Sequence, residues 1–100
     1  MNMQALMKQA QAMQKEITNI KNEIDNTVFE GKSSLVTVKV KGTKELIEVK
    51  IDDGAKDLVS EDITMLEDMI IVALNDAFSK IDQTTESKMG KYSSMMNGLM

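Results

Sequence analysis

The hydrophobic positions of the chain predict two long helices separated by short strands. The longer predicted helix runs from Ser60 to Met89, where apolar residues recur at steps of three and four along a broad face. This face comprises Ile63, Leu66, Met69, Ile70, Val72, Ala73, Leu74, Ala77, Phe78 and Ile81. Ser60 predicts an N-cap and Gly90 predicts the end of the helix. Because about 30 residues of helix span roughly 45 Å, we expect a bend or a projecting end.

The first predicted helix, residues 2–25, carries a narrow apolar seam. The seam comprises Met3, Leu6, Ala10, Met13, Ile17, Ile20 and Ile24, which alternate in steps of three and four. A coiled-coil-like seam of this kind is stable only against a partner. The spacing leaves two interpretations open, packing within the chain's own domain and packing against another chain or arm. Lys8 and Lys15 lie opposite the seam, either as part of an ordinary solvated face or as a contact surface.

The segment between the helices predicts three short strands. Their expected ranges are Asn26–Gly31, Leu35–Lys41 and Glu45–Ile51. Gly42 and Thr43 predict a tight antiparallel hairpin between the last two strands. Alternation in these two strands gives one apolar face, formed by Val36, Val38, Val40, Ile47, Val49 and Ile51. We expect helices to cover this face in an α+β fold of order α-β-β-β-α.

The composition excludes several classes of site. The 100 residues include no Cys and no His, so thiol and imidazole chemistry are absent and metal ligands would be limited to oxygen. We therefore expect no enzyme activity, no cofactor, no bound metal and no small-molecule substrate. No leader-like segment and no membrane-length apolar stretch occurs, which predicts a cytoplasmic protein without membrane contact. Length predicts a single domain over residues 1–90, followed by a disordered tail at 91–100.

Charge is unevenly distributed along the chain. The net charge is −4, yet residues 28–51 carry five lysines against three acids, whereas residues 52–68 carry one lysine against seven acids. The acidic segment lacks the alternating ligands of a calcium loop. Its carboxylates are instead explained by the start of the second helix, where negative charge is favourable, and by exposure to solvent. Every base is Lys, so the guanidinium fork that reads guanine is missing. Lysines also cluster on the predicted hairpin, and this cluster has two possible explanations: protection of the sheet edge or contact with phosphates. Its members are Lys39, Lys41, Lys44 and Lys50.

Two segments at the ends of the chain resemble a known family. The opening MNMQALMKQAQAMQKEI and the later SEDITMLEDMIIVALNDAFSKI, followed by KMGK, resemble the YbaB/EbfC family of bacterial nucleoid-associated proteins. The LED and NDA elements lie at the family spacing, at Leu66, Glu67, Asp68, Asn75, Asp76 and Ala77. The hairpin turn and the Met-rich tail contain less Gly than is usual in the family. The resemblance implies an intertwined, tweezer-like homodimer that binds double-stranded DNA at the nucleoid.

The residues themselves, rather than the resemblance, suggest where DNA would bind. The arm lysines proposed to contact phosphates are Lys8, Lys15, Lys21, Lys88 and Lys91. A second candidate surface is the hairpin group Lys39, Lys41 and Lys44. The expected dimer interface comprises Leu66, Met69, Ile70, Ala73, Leu74, Ala77 and Phe78. With no Arg and only three aromatic residues, binding is expected to tolerate any sequence and to weaken with salt. The alternative function is a dimeric protein-interaction adaptor that uses the first helix or the Met-rich tail.

Overall fold

The computed structural model describes residues 2–55, 57 and 62–98, with side chains up to residue 90. It confirms the predicted α-β-β-β-α order. The elements are helix α1 (Met3–Asp25), strands β1 (Val28–Ser33), β2 (Val36–Lys41) and β3 (Leu46–Ile51), and helix α2 (Ile63–Gly98). A short 3-10 turn, Asp53–Ala55, follows β3. The three strands lie within three residues of their predicted bounds because alternation and turn residues mark both ends of each run.

The strands form an antiparallel sheet in the order β1-β2-β3, with β2 in the centre. Ser34, in the two-residue turn between β1 and β2, has a φ of 50°, and Lys44, in the β2–β3 hairpin, has a φ of 71°. Glycine favours such left-handed conformations. The β1–β2 turn contains no glycine, whereas the β2–β3 hairpin contains the predicted Gly42 but adopts positive φ at Lys44 instead. The pairing of β2 with β3 also shifts register between Lys39 and Val40.

The core lies between the sheet and the central turns of α2. Val36, Val38 and Val40 of β2 are completely buried against Ala73 and Ala77 of the helix, with Ile81 continuing the contact. The helix approaches closely because its contacting residues are small and because β1 carries Gly31 beneath it. Ala73 and Ala77, predicted for the dimer interface, are therefore enclosed by the chain's own sheet.

The prediction that helices cover the whole apolar face of the sheet is wrong for β3. Val49 pairs with Val38, and Ile51 pairs with Val36, so these side chains share the face that contacts α2. However, α2 lies over β1 and β2, and Ile47, Val49 and Ile51 remain 49%, 42% and 41% exposed. One helix covers about two strands, because helices pack about 10 Å across and strands are spaced at about 4.8 Å.

The predicted limits of the second helix are also wrong. The helix begins at Ile63, where the Asp62 carboxylate accepts a hydrogen bond from the Met65 amide at 3.1 Å. The predicted cap Ser60 lies outside the described residues. Gly90 does not end the helix, because no described glycine adopts positive φ and no proline follows. The backbone of residues 91–98, predicted to be disordered, is helical.

Helix α1 and the second half of α2 form an arm that extends beyond the sheet, which gives the protein a long dimension of 71 Å. Ile24 and Met89 are buried near the base of the arm, and Lys88 contacts the carboxylate of Glu23. Towards the start of α1 the seam is open, since Met3 is 70% and Leu6 46% exposed. The predicted projecting end is thus confirmed. Among the described residues, no helix combines the length and hydrophobicity needed to cross a bilayer.

Candidate nucleic-acid interface

Lys8 and Lys15 form a cationic surface on helix α1 of the arm. They lie seven residues apart on α1, so their side chains project from the same face about 10.5 Å apart along the helix axis. Both are exposed, and neither ammonium group has an ion-pair partner among the described side chains. The spacing corresponds to about three base-pair steps along one DNA strand. The pair can therefore contact two phosphates without giving up an existing interaction.

The other arm lysines already have carboxylate partners near the base of the arm. Lys21 pairs with Asp25 one turn later at 3.4 Å, and Lys88 donates to Glu23 of α1. A phosphate would have to compete with these carboxylates, although exposed pairs of this kind are weak. The side chain of Lys91 lies outside the described residues.

The hairpin lysines also include both paired and unpaired ammonium groups. Lys39 lies 3.5 Å from Glu48 on the neighbouring strand, and Lys44 lies 3.4 Å from Asp82 of α2 and 6.0 Å from the centre of the Phe78 ring. Lys41 is exposed, with no described carboxylate as its partner. The structure therefore does not bring the hairpin lysines together as one free cationic patch.

Among the side chains that the structure describes, aromatic and metal-binding groups do not add to this surface. Phe29 and Phe78 are half-buried and pack against the core, so neither ring is presented for stacking on a base. No group of three or more acidic side chains in the described segments is arranged to hold a metal ion. The charged side chains described on the arm offer electrostatic contact with anions.

Asp76 has a structural role that the sequence analysis, which names it only within the NDA element, did not predict. The Asp76 carboxylate accepts a hydrogen bond from the Lys32 amide at 3.0 Å and lies 3.3 Å from the Lys80 ammonium group. Lys80 in turn donates to the carbonyl of Glu30 at 2.8 Å. The two α2 side chains thus occupy the outer edge of β1. The Lys32 amide, followed by Lys80, lowers the pKa of Asp76 below its usual value of 3.8.

Known proteins resemble the chain over nearly its whole length. The model of the YbaB/EbfC DNA-binding family matches residues 1–96. A nucleoid-associated protein of Ligilactobacillus salivarius is 43% identical over 101 residues, covering 99% of this chain and 95% of that protein. Another from Lactococcus lactis subsp. cremoris is 46% identical, covering 92% of this chain and 93% of that protein. The crystal structure of an uncharacterized protein from Helicobacter pylori has the same fold, with a TM-score of 0.65 at 24% identity, covering 100% of this chain and 99% of that one.

Proposed function

The chain belongs to the YbaB/EbfC DNA-binding family, and from this membership we propose that it acts as a homodimer at the cytoplasmic nucleoid. There it binds duplex DNA mainly through phosphate contacts and alters the conformation or packaging of the DNA. Changes in gene expression would follow from that packaging. The names of the relatives, nucleoid-associated proteins, support this assignment.

The uncovered half of the sheet face supports the homodimer. Ile47, Val49 and Ile51 form an exposed apolar row on β3, and the helix residues Leu74 and Phe78, which pack against the core, are only half-buried. Solvent-exposed rows of this kind mark interaction surfaces in soluble proteins. A second copy of the chain, placing its own α2 over β3, would cover the row and extend the core across the interface. By symmetry, the partner's row would be covered in the same way.

The free ammonium groups of Lys8 and Lys15 carry the proposal for DNA contact. The four other described candidate lysines with known partners would each need to leave a carboxylate before they could bind a phosphate. In a homodimer, two-fold symmetry would supply four free arm lysines from only two positions per chain. This arrangement reconciles phosphate binding with a net charge of −4, because the local field of the arm matters more than the sum.

The test compares two double variants that remove the same charge. Lys8→Gln/Lys15→Gln should weaken binding to all duplexes alike and reduce the slope of log affinity against log salt by about 0.9 per lost phosphate contact. Lys39→Gln/Lys41→Gln, on the hairpin, is the matched control and should retain nearly full affinity. Fluorescence anisotropy with several unrelated duplexes across a salt series measures both quantities.

Two results would change the assignment. Loss of binding in the hairpin variant, with normal binding in the arm variant, would move the site to Lys39 and Lys41. Absence of binding to any duplex at low salt, in a protein that is a folded dimer, would instead favour the adaptor function. The exposed Met3, Leu6 and Met7 on the arm would then be the surface to test with protein partners.

A further inference from the structure

The face of the sheet opposite α2 forms an open polar depression of about 430 Å³. All three strands contribute to it, and the β1–β2 turn, at Ser34 and Leu35, borders one end. Its floor is formed by Thr37 of β2, which is half-buried, while lysines from the two outer strands stand at its sides. The depression faces away from the apolar surface proposed for dimerisation, because strand residues alternate between the two faces.

The register of the strands separates the charges of this depression into two rows. In one row, Thr37 pairs with Lys32 on β1 and with Lys50 on β3, so the hydroxyl lies between two lysines. In the next row, Lys39 lies between Glu30 and Glu48. Directly paired residues share a face, and rows on that face are about 6.8 Å apart. The depression consequently has a cationic end and an end with net negative charge.

The two ammonium groups of the cationic end are not neutralised by ion pairs, and Asp52 contributes one carboxylate to the lining of the depression. Lys39 is engaged with Glu48 at 3.5 Å, and the carboxylate of Asp52, which also lines the depression, accepts a hydrogen bond from the Gly54 amide at 2.8 Å. Lys32 and Lys50, by contrast, have no ion pair within the described part of the chain. The backbone of Lys32 is also fixed by Asp76, so the strand that carries this lysine is held in place from the opposite side.

We propose that Lys32, Thr37 and Lys50 form a phosphate-binding site on the outer face of the sheet, separate from the DNA-contacting arm. Two ammonium groups and a hydroxyl match the donors that a tetrahedral oxyanion accepts. The phosphate would belong either to a nucleic-acid strand or to a free phosphate compound. The site does not depend on the arm contacts, and Lys32 lay outside every surface predicted from the sequence.

The experiment titrates the full-length, isotope-labelled protein with inorganic phosphate at constant ionic strength, with chloride as the balancing anion. Amide NMR signals of Lys32, Thr37 and Lys50 should shift and saturate. Lys32→Gln/Lys50→Gln should weaken the fitted affinity at least about fivefold, the effect of losing exposed ionic contacts. Lys8→Gln/Lys15→Gln is the matched control and should bind phosphate with unchanged affinity. Unchanged spectra elsewhere in the sheet would show that both variants are folded.

Shifts that never saturate, or an unchanged affinity in the Lys32→Gln/Lys50→Gln protein, would overturn the proposal. A second titration adds duplex DNA to the phosphate-saturated arm variant. Displacement of phosphate by DNA would support the site and show that the phosphate it binds belongs to nucleic acid. Saturable phosphate binding that DNA does not displace would also support the site, with a free phosphate compound as its ligand. If the arm variant kept its full DNA affinity, the proposed DNA contact of the arm would be contradicted, but the phosphate site would not. The two hypotheses can therefore be rejected independently.

Discussion

Gly31 is the residue on which the closest contact between sheet and helix depends. A Cβ atom at this position would clash with the carbonyl oxygen of Ala73 and would lie 2.7 Å from the amide nitrogen of Ala77. Neither backbone atom can turn aside as a side chain would. We predict that Gly31→Ala forces α2 away from β1 and lowers the free energy of unfolding by about 1–3 kcal/mol or more. Urea denaturation measures the change.

Gly90 provides the matched control for this substitution. It lies within α2, and an added Cβ would meet nothing within 4 Å. Because alanine restricts the unfolded chain and favours helix, Gly90→Ala should stabilise the protein by about 0.5–1 kcal/mol. Equal destabilisation by both substitutions would show that helix α2 does not rest on β1 as described.

Asp76 links the stability of the β1 edge to pH. Its pKa is lowered, first by the Lys32 amide and then by Lys80, so the folded state favours the ionised carboxylate. This contribution is fully present above the unfolded pKa near 3.8 and is lost as pH falls through the lower folded pKa. We predict that Asp76→Ala lowers the urea midpoint at neutral pH and that its difference from the parent protein shrinks on acidification below about pH 4.

Asp82→Ala serves as the comparison, because within the described part of the chain the ion pair of Asp82 is with the exposed Lys44, so its loss should change the midpoint little. Asp76→Asn should retain part of the stability, since its amide oxygen can still accept from Lys32. A difference for Asp76→Ala that grows as pH falls would contradict the assigned interaction.

At the scale of the elements, periodicity and turns predicted the helices, the strands and their order. The alternation of β2 identified Val36, Val38 and Val40 as core because that strand is central and α2 crosses it. The same alternation in β3 did not predict burial, since which strands a single helix covers is decided by tertiary packing. Gly90 predicts a helix end that the structure does not have, because a sequence does not reveal φ. The edge contacts of Asp76 and Lys80 join residues more than forty positions apart and follow no local pattern.

The exposed row of β3 yields a prediction about assembly. Val49→Lys places an ammonium group in the surface proposed for the dimer, where it would be buried without a partner. We expect the dimer dissociation constant to rise at least about thirtyfold, because an unpaired buried charge costs about 2 kcal/mol or more. The monomer should remain folded, since Val49 is already 42% exposed within one chain. Analytical ultracentrifugation measures the constant.

Thr43→Lys adds the same charge to the exposed hairpin turn and should leave the dimer intact. If the Val49→Lys protein dimerises as tightly as the parent, the interface must lie elsewhere. The open seam of α1 at Met3 and Leu6 would then be the next surface to test.

For the molecule as a whole, we propose that the arm contacts DNA and that the uncovered face of the sheet forms the dimer interface. The described lysines near the arm base are paired with acids, whereas Lys8 and Lys15 further out along α1 are free. A net acidic protein can thereby repel nucleic acid over most of its surface and attract it at the arms. In the proposed dimer both arms would contribute, because one arm offers too few cations for tight binding.

Assembly and DNA affinity should therefore change together. In the monomeric Val49→Lys protein, the slope of log affinity against log salt should fall to about half its value in the parent dimer, since each phosphate contact contributes about 0.9 to that slope. The Thr43→Lys protein is the control: it gains the same charge but should remain a dimer. Any change in its slope therefore measures the effect of the added cation alone. A full slope in a protein shown to be monomeric would mean that one chain makes every phosphate contact. Two-fold symmetry would then have no part in DNA binding, and the dimer would require another explanation.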